Sequence, residues 1–317
     1  MFSGKSPERL EPSIEEFNSS LDNHIAHSGP KFLEAGYAIS ISDSCAVMGY
    51  GNEANSVFAE IREIDSQSPH QNDHNIDESE VQEKTTPIPP TPEEIDMQRE
   101  VTAHAIKLSN LTHNIVLRRF GDLNTLPYIH ATLAFIYHMM FCTESMERHV
   151  GPGFPWQLLA ENLNTLLNAP SLTPAMLDRI EGDTFPEVVG DLYGGNKGPD
   201  AEMATTNVPK RKPLPEDFAM RGLLWTEKYL PDGYFQQERI DDEEKYFEVP
   251  SMAEQRRERV LFLGCRIAEV GKQRFLRYSN KLFSAGREFT GELGNLPEST
   301  TSRDLGVLPD ANTAASG

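Results

Sequence analysis

Four histidines fall in two apolar-rich stretches, His104 and His113 within residues 91–120 and His130 and His138 within residues 125–143. Imidazoles facing one another across two helices hold zinc or move protons. Separations of nine and eight residues put neither pair on one helical face, so partnered or surface histidines are expected rather than metal ligands. Cys142 follows His138 by four residues, a helical spacing at which an imidazole could activate a thiol. No orienting third group accompanies them, and a buried core cysteine is the reading. His70, Asp73, His74 and Asp77 are rich in ligand atoms but stand in a polar, acidic, proline-terminated tract without preorganisation. The run Asp241-Asp242-Glu243-Glu244 differs from the convergent carboxylates of a metal-dependent nuclease, because consecutive side chains point in different directions. It reads as a solvated acidic turn able to pair with Arg256 and Arg257. GxSxG, HExxH, GxGxxG and the P-loop pattern do not occur, and Gly190 and Gly194-Gly195 lack the strand and GKS/T of a phosphate loop. The expectation is a non-enzyme without cofactor or metal.

One segment carries a different chemistry. Between residues 256 and 281 stand Arg256, Arg257, Arg259, Arg266, Lys272, Arg274, Arg277 and Lys281, against Glu258 and Glu269, a local charge of +6. On a continuous helix Arg259, Arg266 and Arg277 would share a stripe, with Phe275 and Tyr278 available for stacking. That is the form of a phosphate-backbone or single-strand contact surface. The candidate nucleic-acid contacts are Arg256, Arg259, Arg266, Lys272, Arg274, Arg277 and Lys281. The competing reading is a charged helix face neutralised by acidic neighbours.

The whole chain weighs against nucleic acid at first sight. Its 317 residues hold 29 Lys and Arg against 49 Asp and Glu, a net charge of -20. The charge is uneven. Residues 1–100 carry 6 basic and 20 acidic residues, residues 101–170 carry 4 of each, and residues 209–290 carry 16 basic and 14 acidic. The acidity belongs to ends and linkers, and the apolar-rich stretches are near neutral. A hydrophobic content of 38% is low for a globular chain, and disordered segments diluting an ordinary core account for it.

The elements that must position these residues are helical. Residues 10–52 read as two short helices, the first with Leu10, Ile14, Phe17 and Leu21 on one stripe; the Ile39-Ser40-Ile41 alternation also suits a short strand. Residues 1–9 are a disordered tail and residues 53–90 a disordered acidic linker. Thr91-Pro92-Glu93-Glu94 is a capping box opening a helix to about Gly121. Residues 125–143 are apolar nearly all round and predict the most buried helix; the short connection predicts an antiparallel hairpin. Pro155 and Trp156 open another helix, and a short one follows Thr173-Pro174. Residues 182–212 are a long Gly/Pro-rich loop. Pro215, with Glu216 and Asp217 in the first turn, opens a helix that sets Phe218, Gly222, Trp225 and Tyr229 on one face. Ser251 and Glu254 predict a second capping box for a helix that Phe275–Phe283 continues. Residues 91–285 form the main helical-hairpin domain, and residues 286–317 a disordered tail. The fold class is all-α, an irregular TPR-like array of antiparallel helical hairpins.

Cys45, Cys142 and Cys265 lie far apart with no CxxC or zinc spacing, which predicts a reduced, intracellular protein of the nucleus or cytoplasm. The N-terminus has no apolar signal region. The longest apolar run, Leu126–Cys142, contains Pro127, His130 and His138, and a soluble helix rather than a membrane span is expected.

Taken in order, several blocks resemble the helical domain of the Est-type DNA/RNA-binding proteins, the family joining telomerase-associated Est proteins to the SMG proteins of nonsense-mediated mRNA decay. Fungal members are the most similar. The blocks are LPYIHATLAFIYH from Leu126, FPWQLL from Phe154, RKPLPEDFAMRGLLW from Arg211, DEEKYFE from Asp242 and RVLFLGCRIA from Arg259, with LDNHI from Leu21 and Gly49-Tyr50-Gly51 upstream. The resemblance implies a non-enzymatic scaffold whose partners are proteins of RNA-decay or telomerase complexes, with RNA or single-stranded DNA as a further ligand and no membrane role. It marks Pro155, Trp156, Pro215, Asp217, Phe218 and Trp225 as structural anchors. The family's preceding TPR-like, phosphopeptide-binding domain and the PIN nuclease domain of some members have no counterpart in these residues, so neither activity is expected of them. The alternative reading is a pure protein-interaction module.

Overall fold

The computed structural model describes residues 7–66, 89–186, 213–235 and 247–289. The cluster His70, Asp73, His74 and Asp77, the run Asp241–Glu244, Gly190, Gly194 and Gly195, and residues 1–6 and 290–317 of the tails lie outside the described residues. Among the described residues stand nine helices of six residues or more and one two-stranded sheet, an all-α architecture. In chain order the helices are α1 (Leu10–Ser28), α2 (Phe32–Val47), α3 (Ser56–Ser66), α4 (Pro92–Leu117), α5 (Leu126–Met139), α6 (Trp156–Leu167), α7 (Pro174–Glu181), α8 (Pro215–Met220) and α9 (Ser251–Val270).

Helix α5 is the centre. All its residues except Tyr137 are buried, as its continuous apolar composition predicts. It packs chiefly on α2 and α9, and touches α4 over a smaller area. The α2 contact is close: a Cβ added at Gly36 would stand 3.3 Å from Tyr128, and Ser40 Oγ and Thr132 Oγ1 share a 2.8 Å hydrogen bond. One continuous apolar cluster runs from Leu21 to Ala285. Residues 10–52 therefore share a core with residues 91–285 instead of forming a separate segment. Ile39 and Ile41 lie within α2, which is helical throughout.

The helix starts divide into two kinds. Thr91 forms the expected capping box, its Oγ1 accepting from Glu94 N–H and Glu94 Oε2 accepting from Thr91 N–H at 2.8 Å. Ser251 does not: Pro250 takes the cap position without a side-chain bond, and Glu254 turns to Arg257 and Ser171. Helix α8 is also shorter than its spacing suggests. Gly222, at φ +82°, closes it after Met220, so Phe218, Trp225 and Tyr229 are not on one helical face. Helix α3 lies in the stretch read as linker. Glu60 fastens it, accepting the N–H groups of Glu144 and Ser145 at 3.0 and 2.7 Å, where the first turn after α5 leaves donors unpaired.

Residues 275–283 do not prolong α9. They enter an antiparallel hairpin, β1 (Leu276–Ser279) with β2 (Leu282–Ala285), in which Tyr278 faces Phe283 and Ser279 faces Leu282. Lys272 and Gln273, both at positive φ, turn the chain out of the helix. Asn280 and Lys281 sit at φ +53° and +58°, the two left-handed positions of a tight hairpin turn. Burial then alternates along β2, with Phe283 and Ala285 inside. Asn164 of α6 binds the outer edge of β2 as a third strand would, donating to Phe283 O and accepting from Phe283 N–H, each at 2.8 Å. A Cβ at Gly286 would lie 1.6 Å from the Arg274 carbonyl oxygen, so only glycine closes the hairpin base.

Lys281 carries the cost of a Cβ in the left-handed region, roughly 1–2 kcal/mol. Lys281→Gly is expected to raise stability by about 1 kcal/mol with helical content unchanged, read as a higher urea midpoint in circular dichroism.

Candidate nucleic-acid interface and a buried charge cluster

Helix α9 carries the first four arginines of the basic segment, and the fold turns most of their charge inward. Arg256 is 1% exposed. Its Nε and Nη2 donate to the two Glu216 oxygens at 2.7 and 2.8 Å, and Nη1 and Nη2 reach Glu248. Glu216 Oε1 also accepts from His130 Nδ1 at 3.0 Å, and His130 Nε2 accepts from the Tyr229 hydroxyl at 2.6 Å. The Tyr229 oxygen then accepts from Arg259 Nη1 at 3.2 Å, while Arg259 Nη2 donates to the Tyr234 hydroxyl at 2.9 Å. Tyr234 in turn donates to Asp217 Oδ2 at 2.8 Å. Phe185 covers the Arg259 guanidinium at 3.8 Å, a cation–π contact in a desolvated place. Asp217 Oδ2 closes the start of α8 by accepting Leu214 N–H at 2.9 Å.

Burial alone would push the Glu216 carboxyl up. The hydrogen bonds from His130 and Arg256 and the Arg256 charge overcome it and hold the group down at about 2. Burial likewise opposes the charge of Arg256, and Glu248 and Glu216 raise its pKa above the ordinary arginine value. Carboxylate, imidazole and hydroxyl in line form the order used by hydrolases. Here burial raises the Tyr229 pKa, the hydroxyl is occupied on both sides by His130 and Arg259, and the line works as a structural relay between α5, α8 and α9.

The remaining cations follow the same logic until the hairpin. Arg257 pairs with Glu254, and Arg266 pairs with Asp183 at 2.8 Å and with Glu269. Arg274 pairs with Glu147 and stands 3.8 Å from Glu288. Lys272 and Lys281 are exposed and Arg277 half-buried, and none of them forms an ion pair with a described residue. The expected stripe of Arg259, Arg266 and Arg277 does not form, because the chain leaves the helix at Gly271. Phe275 is buried against Trp156, and Tyr278 packs on Phe283 while its hydroxyl donates to Glu181, so neither ring is held out for stacking.

Of the six residues expected as anchors, Trp156, Pro215, Asp217 and Trp225 are buried and Pro155 and Phe218 half-buried. Trp156 is buried, with Nε1 donating to Gly151 O at 2.8 Å, and Pro155 is the residue before α6. Trp225 meets Phe135 edge-on at 5.5 Å. Pro215 and Asp217 are buried in α8, and Phe218 lies against Phe235. The four histidines do not converge. His104 donates to Glu100 O, His113 bonds Tyr128, His130 joins the cluster, and His138 is buried, with burial and Lys228 lowering its pKa to about 4. Cys142 lies beyond the end of α5, off the helical spacing from His138. No group of three or more His, Cys, Asp or Glu able to hold a metal occurs among the described residues. No described helix is long and apolar enough to cross a membrane.

The residues that sequence reasoning passed over are Glu216, Glu248, Tyr229, Tyr234 and Phe185. The one available signal was the pair Glu216-Asp217 matching Arg256 and Arg259, two acids and two arginines about forty residues apart. Compared with protein-family models, with curated proteins and with solved structures, the chain returned no match.

Arg256→Met leaves Glu216 buried without its cation, a change that costs about 3–5 kcal/mol, and the Glu216→Leu/Arg256→Met pair is expected to cost less than the two singles summed. The pH dependence has a definite sign. An unfolded glutamate titrates near 4.3 and Glu216 at about 2, so its contribution is complete above pH ~4.5 and is lost as pH falls toward 2. Acid unfolding of Glu216→Gln should lack that component.

Proposed function

We propose that this chain is a non-enzymatic helical scaffold of the Est/SMG type, acting in nonsense-mediated mRNA decay or telomere maintenance in the nucleus or cytoplasm. Its helices dock protein partners, and its contact to RNA or single-stranded DNA is confined to the hairpin. The supporting observation is the division of the basic segment. Arg256, Arg257, Arg259, Arg266 and Arg274 are matched to carboxylates or hydroxyls, while Lys272, Arg277 and Lys281 have no carboxylate partner among the described residues. Arg277 faces Ser284 across the hairpin and Lys281 stands at its turn, so a short strip of cations follows a β-ribbon. Phosphate contacts made this way are electrostatic and carry no sequence preference.

A second reading, a protein-interaction module that binds no nucleic acid, is favoured by the same pairing of five arginines and by Leu282. That side chain is 57% exposed on the outer hairpin face, as an interface anchor would be.

Anisotropy titration of a labelled single-stranded RNA against salt separates the two. Three phosphate contacts predict a slope of log K on log salt of roughly -2. Changing Lys272, Arg277 and Lys281 together to Glu is expected to abolish binding with the fold intact. Changing Arg259 to Glu is expected to unfold the core instead. No binding by the wild type at low salt would leave the protein-interaction module as the reading.

A further inference from the structure

Away from the charge cluster, α2, α4 and α5 enclose a small cavity of about 20 Å³ lined by Asp43, Ser44, Ser109, Asn110, His113 and Thr132 among apolar neighbours. That is room for one water molecule. Asp43 is 8% exposed. Its Oδ2 and the Oγ of Ser109 find no hydrogen-bond partner among the described residues. Two unpaired polar atoms of opposite helices on one water-sized cavity point to a ligand that both donates and accepts.

The charges around Asp43 give its carboxylate no counter-ion. From its own helix comes Cys45, whose thiol burial raises, and from the turn after α2 comes Tyr50. Helix α4 contributes His113, which burial keeps neutral down to about 3 and which bonds Tyr128 of α5. The remaining wall holds the uncharged Ser44 and Asn110 and is otherwise apolar, and no lysine or arginine lines the cavity. We propose that the cavity is a buried proton and water site, in which Asp43 stays a carboxylic acid in the folded protein, shares one water with Ser109, and locks α2 to α4 in a pH-sensitive way. A protonated carboxyl has a donor for the water, and Ser109 closes the bridge from the other helix. Raising the pH removes the proton to solvent and leaves a bare carboxylate in an apolar enclosure, which weakens the α2–α4 contact.

Burial pushes the Asp43 carboxyl up to about 7, whereas an unfolded aspartate titrates near 3.9. Between those values the unfolded state binds fewer protons, so stability falls as pH rises and levels off above about 7. Urea unfolding of the full chain at pH 5 and pH 7 tests this against Asp43→Asn, which keeps the shape and cannot ionise. The wild-type folding constant is expected to drop about fiftyfold more than that of the variant between pH 5 and pH 7, because the slope of tenfold per pH unit flattens as the folded-state value is approached. Parallel curves would overturn the proposal. Should Asp43→Asn fail to fold, carbon NMR of aspartate-labelled wild type replaces it, with Ser109→Ala identifying the neighbouring carboxyl by its shift. A carboxyl titrating near pH 7 supports the site, and one titrating near pH 4 sinks it. A crystal structure at pH 5.5 should show one water within hydrogen-bonding distance of Asp43 Oδ2 and Ser109 Oγ; a dry cavity would refute the bridge.

Discussion

Stripping water from the guanidinium of Arg256 and the carboxylate of Glu216 costs several kcal/mol for each ion. The fold tolerates this because the pair is bidentate and neither ion is left with one partner: His130 holds Glu216 from a second side, and Glu248 holds Arg256. Those four residues come from α5, α8, α9 and the segment leading into α9. Breaking the pair therefore strands charge at a junction of elements far apart in sequence. The relay through Tyr229 and Tyr234 extends the same junction to Arg259 and Asp217, which brings the chain after α8 back over α9.

This constraint governs how the surface can be used. Counted along the chain, the basic segment is +6 within a protein of -20, a contrast that suggests a binding face. In three dimensions the first half of that segment is interior, and its arginines serve cohesion. What remains without a carboxylate partner is three cations, Lys272 in the turn after α9 and Arg277 and Lys281 on a hairpin positioned by Asn164 and closed by Gly286. A guanidinium that must stay paired to keep the core together cannot also exchange its carboxylate for a phosphate without loss of stability. The division of labour between core arginines and hairpin cations thus follows from the buried pair.

Much of the helical framework was legible before any tertiary contact was known. Thr91, Pro92 and Glu94 state a helix start in local hydrogen-bond terms, and Leu126–Met139 states burial through apolar residues on every face. The readings that failed each involved a local preference overruled by a distant group. Ser251 and Glu254 are spaced as a capping box, but Arg257 and Ser171 compete for the same carboxylate. Phe218, Gly222, Trp225 and Tyr229 have helical spacing, but Gly222 adopts a left-handed conformation and Tyr229 is drawn to His130. Leu276–Ala285 lacks β-branched residues and the Asn-Gly turn, so nothing local announced a hairpin; docking on Asn164 and Phe275 made it one. Residues 53–66 looked too polar to order, but Val57 and Ile61 are buried in the core and Glu60 caps a remote turn.

By itself the sequence determined the all-α class, the starts of the long helices, the identity of the central helix and the aromatic anchors Trp156 and Trp225. These follow from periodicity, capping chemistry and hydrophobic burial, which act within a turn or two of the chain. Only the tertiary structure decided which charges face water. Whether Arg256, Arg259, Glu216 and Asp43 are surface groups or interior ones depends on partners tens of residues away, and the free energy of an ion is set by its surroundings and not by its place in the chain.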